Sequence, residues 1–259
     1  MKVLSSEFSP IKMARASGLL YLIIILCGVG SEALIRSQVF VSGDWQATAS
    51  NLAAMELPFR ISILADATMA LADVALAGLL FFLLAPAGRM LSLSAMTFRL
   101  VQAGILGLNL VNLTSAAAIA TGGSSVTPGM GALMMHFLEA HAAGYDLGLF
   151  FFAINSFLVG ILMIRSGFLP RWLGYGIFVS GMVYMGGSML RVLDSSLQST
   201  FSPAYLIPLL AETAFCLWLL IKGVDATAWD KRQATAENTG DGFGERPRRL
   251  GAHGQAMAS

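Results

Sequence analysis

The run ISILADATMALADVALAGLLFFLLA, residues 61–85, decides the fold. It holds 25 residues and only two charges, Asp66 and Asp73. At 1.5 Å per residue a helix of that length crosses a hydrocarbon core about 30 Å thick. No soluble helix is apolar around its whole circumference over such a length unless it is sunk in a large core. The remainder of the chain follows the same pattern. Of its 259 residues 56% are hydrophobic and 12% charged, too few charges to cover a soluble globule of this size, where about a quarter is usual. Apolar windows predict six spans, near 16–35, 61–85, 91–113, 145–164, 172–193 and 203–222. The expected architecture is all-α: a six-helix transmembrane bundle between a short N-terminus, 1–15, and a polar tail, 223–259, with no apolar period and no expected order.

Six spans put both ends on one side of the bilayer. Of 16 basic residues, 12 fall on that side, while Arg36 and Arg60 lie in loops on the other and Arg99 and Arg191 sit within spans. The positive-inside rule therefore places both termini in the cytoplasm. The first run follows Lys2, Lys12 and Arg15 but is too long for a signal peptide and lacks a small-residue cleavage site, so it reads as an uncleaved span. Cys27 and Cys216 lie in different spans at different depths, without C-x-x-C spacing, and read as inert thiols. With net charge +1 and basic residues that flank apolar runs, nucleic acid is not an expected partner. The bilayer is.

Connections on the inner side, 86–90 and 165–171, are short and marked by Pro86 and Pro170, which predicts tight antiparallel hairpins. The first outer loop carries Asp44, Thr48 and Asn51 at i, i+4, i+7, the signature of a short extra helix with Asp44 at its N-cap. The second outer segment, 128–143, holds His136 and His141.

Charges inside spans are the informative residues. Each Asp or Arg at a helix centre costs about 2.5 to 3.5 kcal/mol on insertion scales. Asp66, Asp73, Arg99 and Glu212 must therefore face the bundle interior or water. Asp66 and Asp73 are two turns apart and share one stripe. Arg99, Gln102 and Asn109 fall within about 80° of one another on the next helix. Counting outward from the tight turn at 87–88 sets Asp73 level with Gln102 and within reach of Arg99, and Asp66 level with Asn109. The expected contacts are an Asp73–Arg99 pair and an Asp66–Asn109 hydrogen bond. Asn155 and Glu212 are placed to complete the polar core, with Glu32, Asp146 and Arg191 near its outer end. Gly174, Gly176, Ser180 and Gly181, with Gly186, Gly187 and Ser188, predict close helix packing, as does the G-x-x-x-G of Gly144 and Gly148.

Catalytic motifs are absent: there is no G-x-S-x-G, Walker A loop or dinucleotide fingerprint. His136, Glu139 and His141 match no metalloprotease spacing, and a metal site at the outer face needs a further ligand such as Asp146. No cofactor follows from the sequence.

A set of short segments carries a family resemblance: ARASGLLY at 14–21, Gly43-Asp44 with Thr48 and Asn51, Phe59-Arg60, Asp73, Phe98-Arg99-Leu100 and the Phe-Phe run at 150–152. To these add Arg165-Ser166-Gly167, Leu169-Pro170-Arg171 with Leu173-Gly174, Glu212, and Leu217-Trp218-Leu219-Leu220 with Lys222-Gly223. Over roughly residues 11 to 224 the chain resembles the multi-pass membrane proteins grouped as domain of unknown function 4386. That resemblance implies a bacterial inner-membrane protein and assigns no reaction, substrate or cofactor. The leading expectation is a non-enzymatic bundle that binds or moves a small molecule, lipid or ion through a polar core of Asp66, Asp73, Arg99, Gln102, Asn109 and Glu212. The alternatives are a metal-assisted hydrolase at the outer face using His136, Glu139, His141 and Asp146, and an accessory subunit whose polar core is structural.

Overall fold

The computed structural model of the chain describes residues 9–123 and 125–238; Lys2, His253 and the tail beyond 238 lie outside the described residues. Eight principal helices follow one another: α1 Pro10–Gly30, α2 Trp45–Ala54, α3 Glu56–Leu84, α4 Arg89–Thr121, α5 Pro128–Ser166, α6 Arg171–Leu193, α7 Leu206–Ile221 and α8 Ala226–Asn238. Among the described residues six helical stretches are long and apolar enough to cross a membrane, including Pro10–Val39, Pro128–Ser166 and Gln198–Ile221. The expected six-helix architecture is thus present.

The spans run up and down in sequential order, each packed on the next, and α7 closes on α1. The result is a ring of six. At the end that carries the described termini the ring is filled by an apolar cluster. It takes Tyr21 from α1, Leu76, Leu80 and Leu83 from α3, Leu162 from α5, and Phe215 and Leu219 from α7. The seams between helices close because glycines remove side chains where backbones meet. A Cβ on Gly160 would stand 2.8 Å from the Gly174 carbonyl, and one on Gly181 would stand 2.9 Å from that of Ala153. Gly174 and Gly181 of α6 thus fit α5 by close approach, as sequence spacing predicts, while Gly176 faces Ala211 of α7 and Gly187 faces Tyr205.

Three elements depart from the sequence reading. The segment 128–143 is not a separate outer loop but the first turns of α5, a helix of 39 residues and so about 58 Å long. Its protruding turns pack against α2 and the start of α3, Met134 joining a cluster with Leu52 of α2 and Phe59 of α3, because that face of 128–143 is apolar and has α2 to cover it. Second, α1 does not end near 35. It continues through a π-helical turn, Ser31–Arg36, which turns Arg36 inward and buries it, whereas its charge read as a loop residue. Third, the tail does not lose order at 223. Asp225 accepts from the Ala228 amide at 3.0 Å to start α8, and the Trp229 Nε1 donates to the Leu83 carbonyl at 2.9 Å, so one cap and one anchor order a segment with no apolar period.

The predicted short helix in the first loop is α2. Asp44 accepts from the Ala47 amide at 2.9 Å, Thr48 donates to the Asp44 carbonyl at 2.8 Å, and Asn51 Nδ2 reaches the Val39 carbonyl at 3.4 Å. The i, i+4, i+7 recurrence therefore pins α2 to the end of α1. Gly43 makes the turn between them at φ 76°, a conformation that disfavours side chains.

Candidate functional site

The polar residues form two layers along the ring. In the deeper layer Asp73 of α3 meets Arg99 of α4: Arg99 donates from Nε at 2.9 Å and from Nη2 at 2.6 Å to Asp73 Oδ1. Gln102 adds a longer bond to Asp73 Oδ2 at 3.4 Å. The guanidinium also reaches the Tyr21 hydroxyl at 3.3 Å and lies 5.1 Å from the Tyr21 ring and 5.0 Å from that of Phe152. Arg99 thereby bridges α1, α3 and α5 from a position only 1% exposed. The pairing expected from the sequence is present, and it is sealed. The void beside Arg99 and Asn155 measures about 10 Å³, room for about one water. Asn155 itself donates to the Ala95 carbonyl at 2.8 Å, tying α5 to α4.

The second layer lies toward the loop end, and there the expected Asp66–Asn109 bond is not formed. Arg36 Nη1 donates to Asp66 Oδ2 instead, while Arg36 Nε donates to Glu32 at 2.8 Å. The π-turn delivers a cation to Asp66, and an ion pair outbids a neutral amide for a buried carboxylate. Asn109 turns to α5, giving its Nδ2 to the His141 carbonyl at 2.7 Å and accepting from Asn112 at 2.8 Å. On the facing wall Arg191 of α6 donates from Nε to Asp146 of α5, and Ser188 donates to the Asp146 carbonyl at 2.8 Å. Asp66 Oδ1 and Gln102 Oε1 are buried without a hydrogen-bond partner.

Between these two ion pairs the ring is open. A cavity of about 630 Å³ at the loop end is lined by Glu32, Arg36, Glu139, His141, Asp146 and Arg191, with apolar walls from Phe40, Phe59 and Leu113. That volume is in the range of small-molecule sites, which combine apolar walls with a few fixed polar groups. Glu212 is not in it. It accepts from the Tyr184 hydroxyl at 2.7 Å and lines a neighbouring gap with Tyr145 and Tyr205.

The structure thus divides the polar residues differently from the sequence. Asp73, Arg99 and Gln102 form one closed layer; Asp66 lies just behind the cavity wall through Arg36; Asn109 is a link between α4 and α5; Glu212 belongs to a side gap. The proposed metal set is not assembled. Among the described residues no three His, Cys, Asp or Glu side chains are placed to share an ion. On one helix His136 is exposed away from the chamber, Glu139 is exposed where it lines the chamber, His141 faces in and Asp146 is taken by Arg191. Arg191 stands where the sequence set it, near the outer end of the polar core, whereas Arg36, Tyr145 and Tyr184 are the site residues that sequence reasoning passed over. A signal existed for one of them: Glu32 and Arg36 stand at i and i+4 at the end of an apolar run, the spacing of a helical ion pair.

Comparison with known proteins supplies no reaction. A protein of Archaeoglobus fulgidus described only as uncharacterized is 30% identical over 166 residues, which is 64% of this chain and 86% of that protein. No solved structure matches the chain. The family model described as domain of unknown function (DUF4386) matches residues 16–223, which reaches into all six spans, and the chain therefore belongs to that family.

Proposed function

We propose that the protein binds a small polar or amphipathic molecule in the chamber between the Arg36–Asp66 and Arg191–Asp146 pairs. The single observation that carries this reading is that two ion pairs, one buried and one part-buried, frame about 630 Å³ of open space. Charges placed within a bundle at this cost are retained where they face a partner or a cavity. The layer below, by contrast, is a plug: Arg99 and Asp73 satisfy each other, and no comparable space adjoins them. Binding is the activity of the upper layer, and movement of a ligand across the membrane requires the lower one to part.

The orientation we propose follows from charge. With Arg36 paired inside the ring, Arg60, exposed near the start of α3, remains at the outer side, and the terminal side carries Arg89, Arg165, Arg171 and Lys222. The termini are then cytoplasmic, and the chamber opens away from the cytoplasm.

Native mass spectrometry of the protein purified in mild detergent tests the reading. A discrete adduct held by the wild type, and lost in Arg191→Gln while the fold persists, is the expected result. An adduct retained by Arg191→Gln places binding elsewhere, and the absence of any adduct on the wild type overturns the proposal.

A further inference from the structure

The chamber is not closed on all sides. Gly28, Glu32 and Tyr145 line both it and a second space of about 330 Å³ between α1 and α7. The two helices are tightly joined toward the terminal end. There the Cys216 thiol reaches the Gly18 carbonyl at 3.3 Å, the Tyr21 and Phe215 rings meet edge to face at 5.5 Å, and a Cβ on Gly18 would collide with Leu220. Toward the loop end they part. The walls of the gap there are Ile24, Ile25 and Val29 of α1, Met69 of α3, and Pro208 and Leu209 of α7. Val29 is 46% and Leu209 38% exposed, so the gap opens sideways.

Its depth matters. Residues 24–29 fall in the middle of the 30-residue stretch Pro10–Val39, so the mouth of the gap faces hydrocarbon and not water. An apolar slot open to acyl chains therefore leads to a charged chamber. A water-soluble ligand has no use for such a slot. A lipid uses both parts, with its chain in the slot and its head in the chamber.

The chamber also selects the head group. Arg36 commits Nε and Nη1 to Glu32 and Asp66, and Arg191 commits Nε to Asp146. This leaves Arg36 Nη2 and both Nη atoms of Arg191 to donate, and guanidinium groups suit phosphate oxygens. The lining, however, sets two arginines against three carboxylates, Glu32, Glu139 and Asp146. The Glu32 side chain is 69% exposed, so its carboxylate is open to a cation. A head that carries only negative charge would meet a net negative wall, whereas one that adds an ammonium group meets carboxylates with it.

We infer that the ligand of this chamber is a membrane lipid with a zwitterionic, amine-bearing phosphate head group, entering from the bilayer between α1 and α7. This inference rests on the proposed function of the chamber and names its substrate class.

The test titrates the full chain, in mild detergent, by native mass spectrometry with three probes: dioleoyl-phosphatidylethanolamine, dioleoyl-phosphatidylglycerol and chain-free phosphoethanolamine. The expected result is one retained phosphatidylethanolamine per protein, with the other two probes at least about tenfold weaker. Leu209→Trp, which fills the slot, weakens the phosphatidylethanolamine complex about tenfold, while Leu210→Trp, at a residue 70% exposed on the same helix, leaves it unchanged. Val29→Trp repeats the test from the opposite wall if Leu209→Trp fails to fold. Equal binding of the two lipids overturns the head-group assignment. Phosphoethanolamine binding as tightly as the lipid, with both slot variants silent, overturns lateral entry but leaves binding in the chamber intact. If none of the probes binds, the lipid inference fails; an adduct carried from the membrane by the wild type and lost in Arg191→Gln would still uphold the chamber.

Discussion

Removing either partner of the Arg99–Asp73 pair is expected to cost far more than removing both. Arg99 is 1% exposed and makes two bonds to Asp73 Oδ1 within 3 Å. Asp73→Asn leaves that guanidinium with a neutral amide and Tyr21, and the loss of a buried ion's counter-charge costs about 3 to 5 kcal/mol. Arg99→Met leaves the carboxylate with the 3.4 Å bond from Gln102 and also forfeits the ring contacts with Tyr21 and Phe152, so it belongs at the upper end of the same range. In the double variant neither charge remains. What persists is imperfect packing and one unsatisfied amide, about 1 to 2 kcal/mol. Simple interhelical hydrogen bonds in membranes average only about 0.6 kcal/mol, so the size of the coupling separates an ion pair from ordinary helix contacts. Equilibrium unfolding in mixed detergent and dodecyl sulfate, followed by helical circular dichroism, measures all four corners of the cycle. The expected coupling is about 3 kcal/mol or more; single costs that add to the double within about 0.5 kcal/mol would refute the argument that the charges stabilise each other.

Arg36→Gln is expected to destabilise more than Asp66→Asn in the same assay, because Arg36 retains Glu32 when Asp66 is neutral whereas Asp66 has no second partner; the difference should be about 2 kcal/mol, and the reverse order would contradict the assigned contacts. Gly160→Ala should cost about 1 to 3 kcal/mol by overpacking the α5–α6 seam, while Gly104→Ala, with open space around its Cβ, should stabilise by about 0.5 to 1 kcal/mol. Trp229→Phe removes one bond to the Leu83 carbonyl and should raise amide hydrogen exchange across 226–238 without changing that of α3, a loss of about 1 kcal/mol at the docking point. With Cys27 and Cys216 replaced by alanine, a membrane-impermeant maleimide applied to intact cells should label Gly129→Cys and not Ala87→Cys; labelling of Ala87→Cys alone inverts the proposed orientation.

Sequence by itself determined the six spans, the short helix α2 and the existence of the deeper ion pair. Apolar length is a property of a single segment, and the tight turn at 87–88 fixes the depth of its two flanking helices relative to each other, so Asp73 and Arg99 could be matched by counting. The α2 cap was legible for the same reason, since Asp44, Thr48 and Asn51 act within one helical repeat and its immediate neighbour. Tertiary structure alone decided which carboxylate Arg36 would meet, that 128–143 would join α5, and that Arg36 and Arg191 would face one chamber. Those outcomes depend on a π-turn that rotates one side chain, and on the closure of α1 against α7, helices more than 170 residues apart in number and joined at one end only. Periodicity records which face of a helix is polar. It does not record which distant helix will stand opposite, and the cavity exists only where two such faces meet and fail to fill the space between them.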